Sequence, residues 1–160
     1  MVALAGEFVK KGSNAPDFTL TKSDLSRYTL NEGKGKHLIL NIFPSLDTGV
    51  CATSVRRFNR LAANLPHTVV LAISKDLPFA QGRFCTTEGI DRVIPLSDYL
   101  YTSDFGKRYG VLMTDGPLEG LLARAVVVIN PEGKIVYTEL VPEITQEPNY
   151  EAALKAACTL

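Results

Sequence analysis

Apolar and polar positions follow two different periods along this chain, and the changes between them predict its secondary structure. Nearly continuous apolar runs at residues 37–43 and Thr68–Ser74 are typical of strands buried on both faces of a sheet. A third run, Ala125–Ile129, is followed by an Asn-Pro-Glu-Gly turn and a further strand pattern at residues 134–140, which predicts a β-hairpin. Residues 93–96 predict a shorter strand.

Helical periodicity lies between and after these strands. From Val50 onward, apolar residues share one helical stripe, whose members are Cys51, Val55, Phe58, Ala62 and Leu65. Residues 78–85 and 103–109 predict two short helices, the first with proline in its first turn. Asn149 is placed to cap a last helix that runs to Cys158. This order predicts an α/β fold with a mixed central sheet.

Composition narrows the class of protein. The chain has 160 residues, 46% of them hydrophobic, so we expect a single domain over residues 1–160 that buries its own core. Its 17 basic and 17 acidic residues give zero net charge, which argues against nucleic-acid binding by phosphate neutralisation. Its apolar runs are shorter than the ~20 residues that span a bilayer. Residues 1–6 lack the basic region of a signal peptide. We therefore expect a cytoplasmic protein without a membrane or nucleic-acid partner.

The three cysteines limit the possible chemistry. They are too few for a disulfide scaffold, and an odd count points to packing or to thiol chemistry. There is no Cys-x-x-Cys pair, which argues against a thioredoxin-type oxidoreductase. Cysteines and histidines lack zinc-ligand spacing, so we expect neither a metal nor a cofactor. A cysteine hydrolase needs a histidine base, and nothing in the sequence places His37 or His67 beside Cys51.

Cys51 is the most informative of the cysteines because it lies where a buried strand ends and a helix begins. That junction is the usual ligand site of an open α/β sheet. In a first helical turn, the helix dipole and unpaired backbone N–H groups favour the thiolate. The Thr48 hydroxyl can turn toward the sulfur or a bound oxygen, and Pro44 offers an apolar wall without an N–H. Position alone still leaves an inert, buried cysteine as an equal alternative.

A wider pattern favours the reactive interpretation. The spacing Pro44-x-x-x-Thr48-x-x-Cys51 matches the peroxidatic motif of peroxiredoxins. Its flanks, at residues 41–45 and 47–51, resemble the bacterial thiol peroxidases of the atypical two-cysteine type. Further matches follow in order at residues 76–81, 83–85, 115–118 and 123–129. The resemblance runs from about residue 15 to residue 154, and it is specific because several separated motifs occur in order.

The resemblance implies a thioredoxin-like fold and a role for each matching residue. Cys51 corresponds to the peroxidatic cysteine, Thr48 to the hydroxyl of its motif and Pro44 to the shielding proline. Arg124 corresponds to the arginine that approaches the thiolate from a neighbouring strand, and Cys85 to the resolving cysteine. The implied activity is reduction of hydrogen peroxide and small alkyl hydroperoxides. A sulfenic acid on the first cysteine is resolved as an intramolecular disulfide, thioredoxin is the reductant, and the assembly is a homodimer.

Some features stay open at this level. Members of the subfamily usually begin with a β-hairpin, of which only about the second strand is expected here, within residues 2–9. Arg124 could instead pair with a surface carboxylate, and Cys85 could pack within a helix. Cys158 has no expected role beyond packing. The rival function is a non-enzymatic redox sensor or binding module on the same fold, in which Cys51 is oxidised without turnover.

Overall fold

The computed structural model describes residues 3–142 and 146–158. Its strands are β1 (Leu4–Ala5), β2 (Thr19–Lys22), β3 (Arg27–Thr29), β4 (His37–Ile42), β5 (Thr68–Ser74), β6 (Val93–Ser97), β7 (Leu112–Met113), β8 (Ala125–Ile129) and β9 (Ile135–Leu140). Its helices are α1 (Gly49–Ala62), α2 (Pro78–Glu88), α3 (Phe105–Tyr109) and α4 (Tyr150–Ala157), with a 3₁₀ helix at Leu30–Gly33. No helix within the described residues has the length and apolar character needed to cross a membrane.

Seven of the strands form one mixed sheet in the order β3-β2-β6-β5-β4-β8-β9. The three central strands β4, β5 and β6 are parallel, and β8 is antiparallel to β4. All six residues of β4 are buried, as its unbroken apolar run predicts. The predicted α/β class with a mixed central sheet is therefore confirmed. The register pairs Ile42 with Ala125, which brings the start of β8 beside the end of β4.

Apolar side chains form separate clusters on the two faces of this sheet. Neighbouring residues of β4 alternate between them: Leu38, Leu40 and Ile42 belong to one cluster, and Ile39 belongs to the other. The second cluster also holds residues of α1 and α4, with Cys51, Phe58 and Tyr150 among them. The central strand thus separates two cores, and Cys51 lies in the one beneath α1 and α4.

Several predicted boundaries differ from the observed ones. Helix α2 continues past residue 85 to Glu88, where Gly89 ends it with a left-handed φ of 68°. Helix α3 begins at Phe105 rather than at residue 103. In the expected N-terminal strand, residue 2 lies outside the described residues. Of residues 3–9, only Leu4–Ala5 forms a strand, and it pairs with β7 rather than with the main sheet.

Candidate active site

Cys51 lies in the first turn of α1 with its side chain fully buried. Thr48 is the N-cap residue, in extended conformation, and the carbonyl of Thr48 accepts the first helical hydrogen bond from Ala52 N at 3.0 Å. The N–H groups of residues 49–51 therefore precede the helical hydrogen-bond ladder and form the positive end of the helix dipole. Cys51 has 0% of its surface exposed. The sulfur is thus held at a helix N-terminus and shielded from bulk water.

Arg124 approaches the same sulfur from the position immediately before β8. Its Nη2 atom donates a hydrogen bond to Cys51 Sγ at 3.2 Å. The side chain is 2% exposed, and the Arg124 carbonyl accepts a hydrogen bond from Val141 N at 3.0 Å. The guanidinium is a cation, and burial strengthens its field because little water screens it. The structure therefore brings a fixed cation to the atom that would carry negative charge.

The remaining surroundings of the sulfur are apolar. Pro44 is buried in the loop that joins β4 to α1, where its ring lacks the N–H of other residues. The buried cluster that contains Cys51 also includes Phe43, Leu46, Val55, Phe58 and Tyr150. Electrostatic interactions are stronger in such surroundings than in water. The positions of Pro44 and Arg124 make the site both apolar and positively charged.

Thr48 differs from the expected geometry. Its hydroxyl donates to the carbonyl of Ser45 at 3.0 Å rather than to the Cys51 sulfur. The backbone N–H of Thr48 donates to the same carbonyl at 3.2 Å, so the loop closes as a turn that directs the side chain toward Ser45. The hydroxyl therefore does not donate to the sulfur, which is one of the two partners expected for it; the other, a bound oxygen, stays a prediction. Thr48 occupies the N-cap position without a side-chain capping hydrogen bond, and its hydroxyl oxygen keeps lone pairs that can accept a hydrogen bond.

Cys85 lies on α2 as a half-buried free thiol, and Cys51 and Cys158 are free as well. Burial raises the pKa of the Cys85 thiol to about 11. Its carbonyl accepts hydrogen bonds from Gly89 N and, at 2.9 Å, from Ile90 N, which close the end of the helix. Cys85 is thus a neutral thiol in a well-formed helix, while Cys158 is exposed beside the end of α4.

Two polar residues that the sequence analysis did not single out hold the first turn of α1. The Ser54 hydroxyl donates to the carbonyl of Cys51 at 2.8 Å and accepts from Asn41 Nδ2 at 3.1 Å. Asn41 lies on β4 and is 1% exposed, and Ser54 is fully buried. A signal was present, since Asn41 interrupts an apolar run, and a buried amide requires a partner. This pair anchors the backbone of Cys51 to the central strand.

Tyr150 is a further neighbour that sequence reasoning missed. Its ring packs edge-on against Phe58 with centroids 5.1 Å apart, and its hydroxyl donates to Glu147 Oε1 at 2.7 Å. Burial and the Glu147 carboxylate raise the pKa of Tyr150 above its usual range, although Arg57 and Arg124 partly oppose this. The hydroxyl therefore stays protonated at neutral pH. Tyr150 closes the apolar wall and does not act as a base.

Both histidines lie far from Cys51. His37 begins β4, and its N–H donates to the carbonyl of His67 at 2.9 Å, so the two residues share one end of the sheet. Cys51 follows the other end of β4, roughly 20 Å away at about 3.3 Å per residue. This separation excludes a histidine base for a cysteine hydrolase. Among the described residues, no group of three His, Cys, Asp or Glu side chains could hold a metal ion.

Comparisons with known proteins agree with this geometry. The redoxin family matches residues 10–154. A thiol peroxidase of Corynebacterium glutamicum is 52% identical over 154 residues, covering 96% of this chain and 92% of that protein. A thiol peroxidase of Mycobacterium tuberculosis is 58% identical over 151 residues, covering 94% and 90%. The crystal structure of a peroxiredoxin-like protein from Aquifex aeolicus superimposes with a TM-score of 0.90 at 44% identity, covering 97% of this chain and 90% of that one.

These similarities extend over nearly the whole chain, and they include both sequence and backbone geometry. The thioredoxin-like fold implied by the sequence motifs is thereby confirmed. The similarity to curated thiol peroxidases also establishes the class of enzyme. The chain belongs to the redoxin family, and it is a peroxidase of the thiol peroxidase type among the peroxiredoxins.

Proposed function

We propose that this peroxidase reduces hydrogen peroxide and small alkyl hydroperoxides through Cys51, with Cys85 as the resolving cysteine and thioredoxin as the reductant. The observation that carries the proposal is the 3.2 Å hydrogen bond from Arg124 Nη2 to Cys51 Sγ. Full burial of the sulfur supports small substrates, because a bulky hydroperoxide would need a large opening of the site. The neutral, cysteine-poor composition supports a reducing, cytoplasmic setting.

In the first step the Cys51 thiolate attacks one peroxide oxygen. An S–O bond forms, the O–O bond breaks, and the electron pair leaves with the distal oxygen as hydroxide or alkoxide, which takes up a proton. Arg124 stabilises both the thiolate and the charge that grows on the leaving oxygen. The N–H groups of residues 49–51 donate hydrogen bonds to the peroxide, the Thr48 hydroxyl oxygen accepts one from it, and Pro44 limits water. The product is a sulfenic acid on Cys51.

In the second step Cys85 attacks the sulfenic sulfur, so that an S–S bond forms and water leaves. A dithiol reductant then attacks this disulfide by exchange, which restores both thiols and leaves the reductant oxidised. We assign this last role to thioredoxin on the strength of the family resemblance. The packing of α2 against α1 supports this part, since Arg56 of α1 pairs with Glu88 and its guanidinium lies 5.8 Å from the ring centroid of Phe84, the residue before Cys85.

We also propose a homodimer. Two large apolar side chains at the start of α2 are exposed, Leu77 by 53% and Phe79 by 66%. Contact with a second copy of the chain would remove these apolar side chains from water. Sedimentation equilibrium over a range of concentrations tests this part, because a monomer at all concentrations would exclude it.

The central experiment is a coupled assay of peroxide consumption with thioredoxin, its reductase and NADPH. We expect Cys51→Ser to abolish turnover, because serine keeps the size of the side chain but stays a neutral hydroxyl. Cys158→Ser is the matched control and should turn over like the unmodified chain, since this cysteine is an exposed thiol just after α4. Turnover of Cys51→Ser at the control rate would refute the proposal. Oxidation of one equivalent without turnover would favour the redox sensor.

A further inference from the structure

Asp76 binds the loop that carries the peroxidatic motif, although it lies on a different connection of the fold. It follows β5, and its Oδ1 accepts a hydrogen bond from Ser45 Oγ at 2.7 Å. Its Oδ2 accepts two more, from Leu46 N at 2.8 Å and from Ser74 Oγ at 2.7 Å. A carboxylate is suited to this because both oxygens accept and neither donates. Asp76 thus joins the end of β5 to the loop between β4 and α1.

Ser45 transmits this anchoring to the first turn of α1. Its carbonyl accepts from the backbone N of Thr48 at 3.2 Å and from the Thr48 hydroxyl at 3.0 Å. Its own hydroxyl accepts from Asp47 N at 3.1 Å. Thr48 is the N-cap residue of α1 by its extended backbone and makes no side-chain capping hydrogen bond, so the turn between Ser45 and Thr48 is what holds the start of the helix. A chain of hydrogen bonds therefore runs from Asp76 through Ser45 to the residues that present the sulfur.

A second arm of the same network reaches α2. Ser74 Oγ, which donates to Asp76, accepts from Gln81 Nε2 at 3.1 Å. Gln81 Nε2 also donates to the carbonyl of Leu96 at 2.9 Å, and the Gln81 side chain is fully buried. Gln81 lies one helical turn before Cys85 on α2. Asp76 therefore lies between the two segments that carry Cys51 and Cys85, with hydrogen bonds toward each.

We infer that Asp76 is a positioning residue of the peroxidase. It holds the loop of residues 44–48 so that the Cys51 sulfur, the N–H groups at the start of α1 and the Arg124 guanidinium converge on one point. The inference rests on the proposed role of Cys51. Asp76 does not touch the sulfur, and it acts through Ser45 and Leu46. Loss of one acceptor oxygen would free the loop, which would misalign peroxide and open the buried sulfur to larger reagents.

Asp76→Asn is the discriminating variant, because it keeps the shape but replaces one acceptor oxygen with a donor. We expect the second-order rate of Cys51 oxidation by hydrogen peroxide, measured in a single turnover without thioredoxin, to fall by roughly ten- to a hundredfold. In the same variant, iodoacetamide alkylation of Cys51 should become faster, because the sulfur is fully buried while the loop is intact and becomes accessible when the loop is freed. These opposite changes are not expected from a residue that only adds stability. Asp91→Asn, an exposed site before β6, is the control for the loss of charge.

Ser45→Ala supplies a second test, which removes the hydroxyl that donates to Asp76 Oδ1 and accepts from Asp47 N, and which leaves the bond from Leu46 N to Asp76 Oδ2 in place. If Asp76 acts through Ser45, the two substitutions combined should slow peroxide oxidation by less than the product of their separate effects. Near-ultraviolet circular dichroism shows which variants are folded, and only those are compared. If Asp76→Asn does not fold, the oxidation and alkylation rates of Ser45→Ala alone test the inference. Oxidation and alkylation rates equal to those of Asp91→Asn, or multiplicative effects, would overturn the inference. Failure of the proposed function is separate, since it appears as turnover by Cys51→Ser.

Discussion

The guanidinium of Arg124 and the sulfur of Cys51 form a buried hydrogen bond of 3.2 Å across 73 residues of sequence. The contact depends on strand order, because β8 pairs with β4 and so places Arg124 beside the loop that leads into α1. It also depends on burial, since both side chains are shielded from water that would weaken the interaction. The reactive site is therefore a product of the sheet topology and of the helix start together.

Replacing Arg124 with methionine should slow the first chemical step in a protein that still folds. The variant loses the donor to the Cys51 sulfur, which in the proposed mechanism also stabilises the leaving oxygen, so we expect sulfenic acid formation to slow by about a hundredfold. Rapid-quench mass spectrometry of Cys51 after one addition of peroxide measures this rate. Arg124→Lys keeps the positive charge but loses the planar fork of donors, so its rate of sulfenic acid formation should lie between those of the unmodified chain and Arg124→Met.

The exposed Arg92→Met is the control for loss of a basic side chain. An unchanged oxidation rate in Arg124→Met would mean that Arg124 has only a structural role.

Ser54→Ala should destabilise the protein through the backbone of Cys51. The substitution removes the acceptor of Asn41 Nδ2 and the donor to the Cys51 carbonyl in a fully buried position. Leaving a buried amide unsatisfied costs about 1–3 kcal/mol of the free energy of unfolding. Urea denaturation of the reduced protein measures the change. Thr53→Ala, on the exposed face of the same helix, should stay within about 0.5 kcal/mol, and equal effects of the two would contradict this role for Ser54.

The central strands could be predicted closely because a strand buried on both faces needs an unbroken apolar run. Thr68–Ser74 and Ala125–Ile129 have the predicted bounds, and β4 ends one residue before the predicted position. The cap of the last helix was also predicted correctly: Asn149 Oδ1 accepts a hydrogen bond from Ala152 N at 3.1 Å. In each of these segments, local chemistry and burial favour the same structure.

The edge of the sheet gave no comparable signal. Strands Thr19–Lys22 and Arg27–Thr29 form a hairpin that the sequence analysis did not predict. They are short, partly exposed and largely polar, and the residue Leu25 in their turn adopts a positive φ of 72° without being a glycine. Pairing with β6 stabilises this hairpin, and that contact joins segments far apart in the chain. Tertiary contacts of this kind override weak local preference.

The candidate site shows the same division. The first-turn position of Cys51 follows from the strand-to-helix change in the sequence, whereas the approach of Arg124 was implied only by family resemblance. Asp76 was noticed only as part of a matching motif. Its contact with Ser45 depends on how two loops at the ends of neighbouring parallel strands are spaced, and no local pattern encodes that distance.

The Cys85 thiol should make the stability of the reduced protein depend on alkaline pH. Burial raises the pKa of this thiol from an ordinary value of 9.0 to about 11, so the folded state binds its proton more tightly than the unfolded state. The corresponding stability is complete below about pH 9 and is lost as the pH rises toward 11. The free energy of unfolding should therefore fall more steeply over this interval in the unmodified chain than in Cys85→Ser. Urea denaturation at a series of pH values measures this free energy. An equal pH dependence of the unmodified chain and Cys85→Ser would contradict the argument.

Cys85→Ser should separate the first chemical step from the second. If Cys85 resolves the sulfenic acid as proposed, the variant should consume about one equivalent of peroxide and then stop, with Cys51 as sulfenic acid. Mass spectrometry after a single addition of peroxide identifies the product, and Cys158→Ser should instead form the disulfide. Sustained turnover of Cys85→Ser with thioredoxin would show that another group resolves the intermediate.

Forming the Cys51–Cys85 disulfide should unwind parts of both helices. A disulfide needs Cα atoms within about 7 Å, a separation that two packed helices seldom offer without backbone movement. In the reduced protein, Cys51 is buried in the first turn of α1 and Cys85 lies within α2. Contacts between the helices also hold them in this arrangement: Arg56 pairs with Glu88, and its guanidinium lies 5.8 Å from the ring centroid of Phe84.

Closing this loop would contribute about 4 kcal/mol by chain entropy, from which lost helical hydrogen bonds and newly exposed apolar surface subtract. After one equivalent of peroxide, hydrogen exchange should become faster at residues 48–56 and 79–88, while the central strands keep their protection. Cys85→Ser treated in the same way should show no change at residues 79–88, because no bond can form there. Equal protection of both segments in the reduced and the disulfide-bonded protein would refute the unwinding, and the two sulfurs would then have to meet with both helices intact.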